Sequence, residues 1–133
     1  MQHIHDTGEK MNLSTDENGI REAINHYSEG MRTADILILK KAFHELAILC
    51  GYLGDEMIAA PIEGLYDWVG SNPAPETYNC SILGIEITGR VAAATVRETD
   101  PHGDVIDYFH LLKVGDRWWI TSKLWDAESI VAE

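Results

Sequence analysis

Two apolar runs of strand length face each other across a short polar turn near the C-terminus. They are VIDYFHLLKV and WWITSKLW, joined through Gly115-Asp116-Arg117. Runs rich in β-branched and aromatic residues on either side of such a turn specify a β-hairpin. Neither run has an interior Gly or Pro, so the pair belongs at the centre of a sheet and not at its edge. Between Val105 and Trp125 lie Trp118, Trp119 and Trp125, leaving only Trp68 outside. Alternation divides the first strand into Ile106, Tyr108, His110 and Leu112 on one face and Asp107, Phe109 and Leu111 on the other. Both faces are mostly apolar and both need cover, one from the chain's own helices and the other from a second subunit. Asp107, set among large apolar neighbours, is the residue that most needs a reason.

The remaining chain must supply those helices. Its 133 residues, 45% of them hydrophobic, suit one domain with one core. A net charge of −12 argues against nucleic acid and against anionic membrane surfaces as partners. No apolar run reaches the roughly 18 to 20 residues of a membrane span. The opening MQHIHDTGEK lacks the apolar core of a signal peptide, so a cytoplasmic location is expected. Cys50 and Cys80 sit in no C-x-x-C or zinc spacing and read as buried free thiols. No metal-ligand spacing, phosphate loop or Ser-His-Asp order is present, and no cofactor is expected.

Residues 1–13, which include His3 and His5, are polar and aperiodic; a flexible tail is expected there, ahead of a single domain over 14–133. Ser14 to Glu17 has the form of a capping box. Ile20, Ala23, Ile24, Tyr27 and Met31 follow at helical spacing. Tyr27 is either a core tyrosine or a hydrogen-bond donor at a pocket wall. Thr33 can cap a second helix with the stripe Ile36, Leu39, Ala42 and Phe43. That helix would hand over at His44, which then serves either the helix dipole or a pocket. Leu46 to Ala60, turning at Gly54-Asp55, reads as a strand pair, with Tyr52 a further pocket candidate. Pro61 opens a third helix with the stripe Ile62, Leu65, Trp68 and Val69. Residues 71–79 form a loop, long enough for a rim and short enough for a plain connection. Ser81 to Thr88 and Val91 to Glu98 are further strands. The small Ala92, Ala93 and Ala94 leave room for an aromatic residue or a ligand.

The layout is α+β, with helices on one face of a curved sheet. The run Tyr27-x-x-Gly30, Thr33-Ala34-Asp35, Leu39, Phe43-His44 resembles the helical hairpin of the nuclear transport factor 2-like superfamily. Pro61-Ile62-Glu63 to Trp68-Val69, Asp107-Tyr108 with Leu111 to Val114, and Trp118, Ile120 and Lys123 resemble its "putative lumazine-binding" branch, close to SnoaL-like proteins. The resemblance covers about residues 16–126. It implies a cone: a curved antiparallel sheet, cystatin-like, wrapped around three N-terminal helices, with an apolar pocket between them. It also implies a homodimer packed through the sheet.

The same superfamily includes ketosteroid isomerases, whose chemistry needs a carboxylate base and two donors to an enolate oxygen. Tyr27 resembles the first donor and Asp107 falls near the second. The base position falls at about Gly51, which has no carboxylate. His44 with Asp107 would be a different acid/base pair. Asp107 has structural readings too, as an ion-pair partner of Lys123 or as a contact across a dimer interface. The catalytic candidates are therefore Tyr27, His44 and Asp107, and the candidate pocket is Tyr27, His44, Tyr52, Trp68, Asp107 and Phe109. The preferred reading is a binding or accessory protein for a small apolar or aromatic ligand. The alternative is a cofactor-independent isomerase, cyclase or dehydratase working by general acid/base catalysis.

Overall fold

The computed structural model describes residues 2–100 and 103–128, with side chains from residue 15 onward, residue 100 excepted. The His3 and His5 side chains, the Pro101-His102 step and the end of the acidic tail lie outside the described residues. The chain runs α1 (Gln2–Thr33), α2 (Ile36–Leu39), β1 (Phe43–Leu53), β2 (Glu56–Pro61), α3 (Glu63–Ser71), β3 (Asn79–Thr88), β4 (Val91–Asp100), β5 (Gly103–Val114) and β6 (Arg117–Ala127). No helix among the described residues is long and apolar enough to cross a membrane.

The six strands form one sheet in the order β2-β1-β6-β5-β4-β3, so the β5–β6 hairpin is central, as its sequence requires. Its neighbours pair antiparallel except β1 with β6, which run parallel. That pairing joins the first strand of the sheet to the last and needs the long crossover through the rest of the chain. The sheet curves around the helices without closing. Ile20, Ala23, Ile24 and Tyr27 of α1 are buried against its inner side, together with Phe43, Ala94, Val96, Phe109, Leu111, Trp118 and Ile120.

The helices differ from the sequence expectation at their ends. α1 begins at Gln2, so Ser14 to Glu17 lies within the helix and not at its start. It stops in a Schellman turn: the Asp35 amide donates to the Gly30 carbonyl, 3.0 Å away, and Ala34 takes the left-handed conformation at φ 55°. The N-cap of α2 is Asp35, not Thr33; its carboxylate accepts from the amides of Leu37 and Ile38 at 3.0 and 3.3 Å. α2 is a single turn. Leu39, Ala42 and Phe43 are all buried, but only Leu39 from the helix; Phe43 is already the first residue of β1. α3 starts at Glu63, because Pro61 ends β2 and Ile62 takes the cap position.

One local irregularity decides which residues of β6 face inward. His110 pairs with Ser122, but Leu111 pairs with Ile120, which leaves Thr121 as an extra residue in β6. Such a bulge shifts the alternation by one. Trp118 and Ile120 face inward before it, and Lys123 and Trp125 after it, while Leu124 is exposed. Without the bulge, Ser122 and Leu124 would point into the core.

Candidate functional site

Tyr27 enters the cone from the buried stripe of α1. Its ring is fixed edge-on against Phe43 and Phe109, with centroids at 5.8 and 5.0 Å. Its hydroxyl donates to Glu98 Oε2 at 2.6 Å. Glu98 lies on the inward side of β4, in step with Ala92, Ala94 and Val96. Its second oxygen accepts from the Tyr78 hydroxyl, also at 2.6 Å. Asp107 pairs with Val96 and Glu98 with Val105, so the two carboxyls are diagonal neighbours on one side of the sheet. The bulge brings Lys123 to the same place: its Nζ is 3.5 Å from Asp107 Oδ1 and 4.2 Å from the centre of the Trp125 ring. Asp107 is fully buried, and Glu98 and Lys123 nearly so.

The two carboxyls are pushed in opposite directions. Burial raises Asp107 from 3.8 to about 9; the charge of Lys123 opposes the rise and Glu98 adds to it. Burial raises Glu98 too, but the hydrogen bond from Asp107, the Lys123 charge and the two tyrosine hydroxyls together hold it below its ordinary value. At neutral pH Glu98 is therefore the ionised carboxyl of the pair and Asp107 the neutral one. Neither buried Asp107 oxygen has a hydrogen-bond partner in the protein. Protonation relieves that deficit at one oxygen, which then donates toward Glu98, while Lys123 Nζ stands 3.5 Å from Oδ1. Burial, then the Glu98 charge, raises both tyrosines well above the ordinary range, so both stay donors. Burial lifts the neighbouring Cys80 thiol to about 12, which makes it a poor nucleophile. Cys50 and Cys80 are both free and half-buried.

Tyr27, Asp107 and Phe109 meet in this cluster; the other three candidates do not. His44 is in β1, since α2 ends before it. Its Nδ1 accepts from the Leu46 amide at 3.0 Å and its ring stands edge-on to Trp119. Tyr52 is 47% exposed near the end of β1. Trp68 is 43% exposed on α3, turned away from the buried Leu65 and Val69. Gly51 explains the missing base. A Cβ there would lie 2.4 Å from the Trp125 carbonyl oxygen and 2.5 Å from its ring, so indole occupies the space a carboxylate would need. No group of three metal-binding side chains occurs among the described residues. Two surface recesses lie elsewhere. A concavity of about 610 Å³ lies on the outer face of the sheet between Glu86, Val91, Ala93, His110 and Leu112, and a recess of about 50 Å³ lies beside Gly19 and Trp118.

Sequence reasoning placed neither Glu98 nor Tyr78 in the site and held Lys123 only as an ion-pair partner. A family model described as "Putative lumazine-binding" matches residues 15–126. The chain belongs to this family. Solved members of the wider nuclear transport factor 2-like class share the fold of this lumazine-binding-family chain. An NTF2-like protein of unknown function from Methylobacillus flagellatus is 35% identical, with 84% of this chain and 90% of that one covered and a TM-score of 0.77. Another from Shewanella baltica is 33% identical, covering 83% and 91%, at 0.75. A cystatin-like fold protein from Burkholderia xenovorans, 14% identical over 85% of this chain and 92% of that one, matches in fold at 0.66. Among characterised proteins, Aldolase FrzH of a Cladobotryum species is 23% identical over 100 residues, 74% of this chain and 80% of that protein.

Proposed function

We propose that this protein binds a small, neutral organic molecule at the Glu98–Asp107 cluster, with Tyr27, Phe109 and Trp125 as the apolar walls. One observation carries the reading: two carboxyls and a lysine are buried together in an otherwise apolar cone. Exchanging a buried ion cluster for apolar packing is often neutral or stabilising by about 1 to 4 kcal/mol, so stability alone does not account for it. Glu98 offers an acceptor, and Asp107, Tyr27 and Tyr78 offer donors. A flat heterocycle with adjacent carbonyl and N–H groups, such as the lumazine of the family description, has the matching edge.

A second reading is proton transfer. It is favoured by the opposed proton affinities of Glu98 and Asp107, the arrangement that separates a base from an acid. Isomerisation and aldol chemistry, the latter named for the Cladobotryum relative, both begin with proton removal beside a carbonyl. Glu98, held below its ordinary value, is a weak base, which ranks binding ahead of catalysis. The exposed Tyr108, Leu112, Val114 and Leu124 on the outer face support a homodimer packed through the sheet.

Titration calorimetry with lumazine and related neutral heterocycles tests the first reading. Saturable binding, weakened at least tenfold by Glu98→Gln, is expected. A panel that leaves the wild type silent would refute it. Deuterium uptake from solvent into an added carbonyl compound, abolished by Glu98→Gln, would move the conclusion to the second reading.

A further inference from the structure

The two tyrosines on Glu98 make bonds of equal length from very different footings. Tyr27 is wholly buried in a helix and wedged between two rings. Tyr78 is only half-buried, at the end of the segment that leads from α3 into β3. Outside the regular elements, the backbone bonds of residues 72–78 among the described residues are local: Asn72 to the Val69 carbonyl and Tyr78 to the Pro75 carbonyl. The Asn72 side chain likewise bonds the Trp68 carbonyl, four residues back. The hydrogen bond from the Tyr78 hydroxyl to Glu98 Oε1 ties this segment to the interior. Tyr78 thus takes the Glu98 oxygen that Tyr27 leaves free.

We propose that residues 72–78 form a latch whose catch is the Tyr78 hydroxyl, and that a ligand enters by replacing that hydroxyl on Glu98 Oε1 with its own O–H or N–H. This rests on the reading of the cluster as a ligand site and adds to it an entry route and a ligand class. The displaced group is a phenol, so the incoming group must be a neutral donor of similar strength. A carboxylate or phosphate ligand is excluded, because Glu98 already carries the negative charge and Lys123 balances it once. An apolar ligand is excluded as well, because it would leave Oε1 without a donor in a buried place. An internal donor that must be moved aside lowers the apparent affinity by the fraction of time the latch is open.

Phenol itself is the direct probe, titrated into isotope-labelled protein and followed by nuclear magnetic resonance. Tyr78→Ala should bind phenol at least tenfold more tightly than the wild type, since the competing donor is gone. Benzoate and toluene, of similar size, should bind that variant at least tenfold more weakly than phenol. Adding Glu98→Gln should remove the gain. Equal phenol affinity in wild type and Tyr78→Ala, still dependent on Glu98, would refute the latch and leave the ligand site standing. An equal gain for toluene would reduce the effect to an empty hole and refute the latch. Silence toward phenol in every form would bring down the site reading as well. Should Tyr78→Ala fail to fold, Tyr78→Phe keeps the ring and removes the catch. Amide exchange over residues 72–78 should then speed up at least tenfold while α1 is unchanged, and unaltered protection there would refute the proposal.

Discussion

Replacing Asp107 by Asn tests the charge state on which the whole cluster depends. In the unfolded chain Asp107 releases its proton near 3.8, whereas in the folded protein it keeps it to about 9. Between those values the native state binds one proton more than the unfolded state. The contribution of this group is therefore fully present below 3.8 and is lost as pH rises toward about 9. The slope is about 1.4 kcal/mol per pH unit. From about pH 5.5 to about pH 8.5, that amounts to roughly 4 kcal/mol, a large share of the roughly 5 to 15 kcal/mol by which domains are stable. Asparagine has the same shape and does not titrate, and its amide can donate to Glu98 as the protonated carboxyl does. Urea denaturation of both proteins across this range should show Asp107→Asn gaining about 4 kcal/mol on the wild type as pH rises. Profiles that stay parallel would refute the argument. They would mean that Asp107 is already ionised and simply paired with Lys123, in which case the variant would be weaker at every pH.

Three further substitutions read the packing. Ala34→Gly should stabilise by about 1 kcal/mol, because Ala34 holds a left-handed conformation at the end of α1; an unchanged thermal midpoint would contradict this. Gly51→Ala should cost about 1 to 3 kcal/mol by driving a methyl into the Trp125 backbone and ring, with a matching change in tryptophan fluorescence. Phe43→Ala should cost about 3 to 5 kcal/mol, since the ring is only 2% exposed and braces Tyr27; a denaturation midpoint equal to the wild type would show the packing to be wrong.

The fold was legible wherever side chains alternate or recur strongly. The β5–β6 hairpin, its central position and the grouping of Asp107, Phe109 and Leu111 on one face follow from the sequence pattern, but that this face is the inner one does not. The site was only partly legible. Glu98 had a signal that went unread: Ala92, Ala94 and Val96 set a period of two that carries Glu98 to the inner face. Tyr78 stands in an aperiodic loop, and only the folded path of residues 72–78 brings it over Glu98. His44 was misplaced because no Gly or Pro marks the end of α2; Lys40-Lys41-Ala42 continues a helical pattern that the β-rich run after Phe43 overrides. The inward turn of Lys123 depends on a bulge, and bulges leave no mark in a simple alternation.

The Thr121 bulge makes the neutrality of the interior depend on the register of β6 as well as on the kind of its residues. Pairing the same residues without the bulge would turn Lys123 outward and bring Leu124 in, leaving the Glu98 charge without a counterion although no side chain had changed. A one-residue slip in β6 is thus a change in the electrostatics of the protein. A chain that kept these residues but straightened the strand would have to give up the buried glutamate along with the bulge.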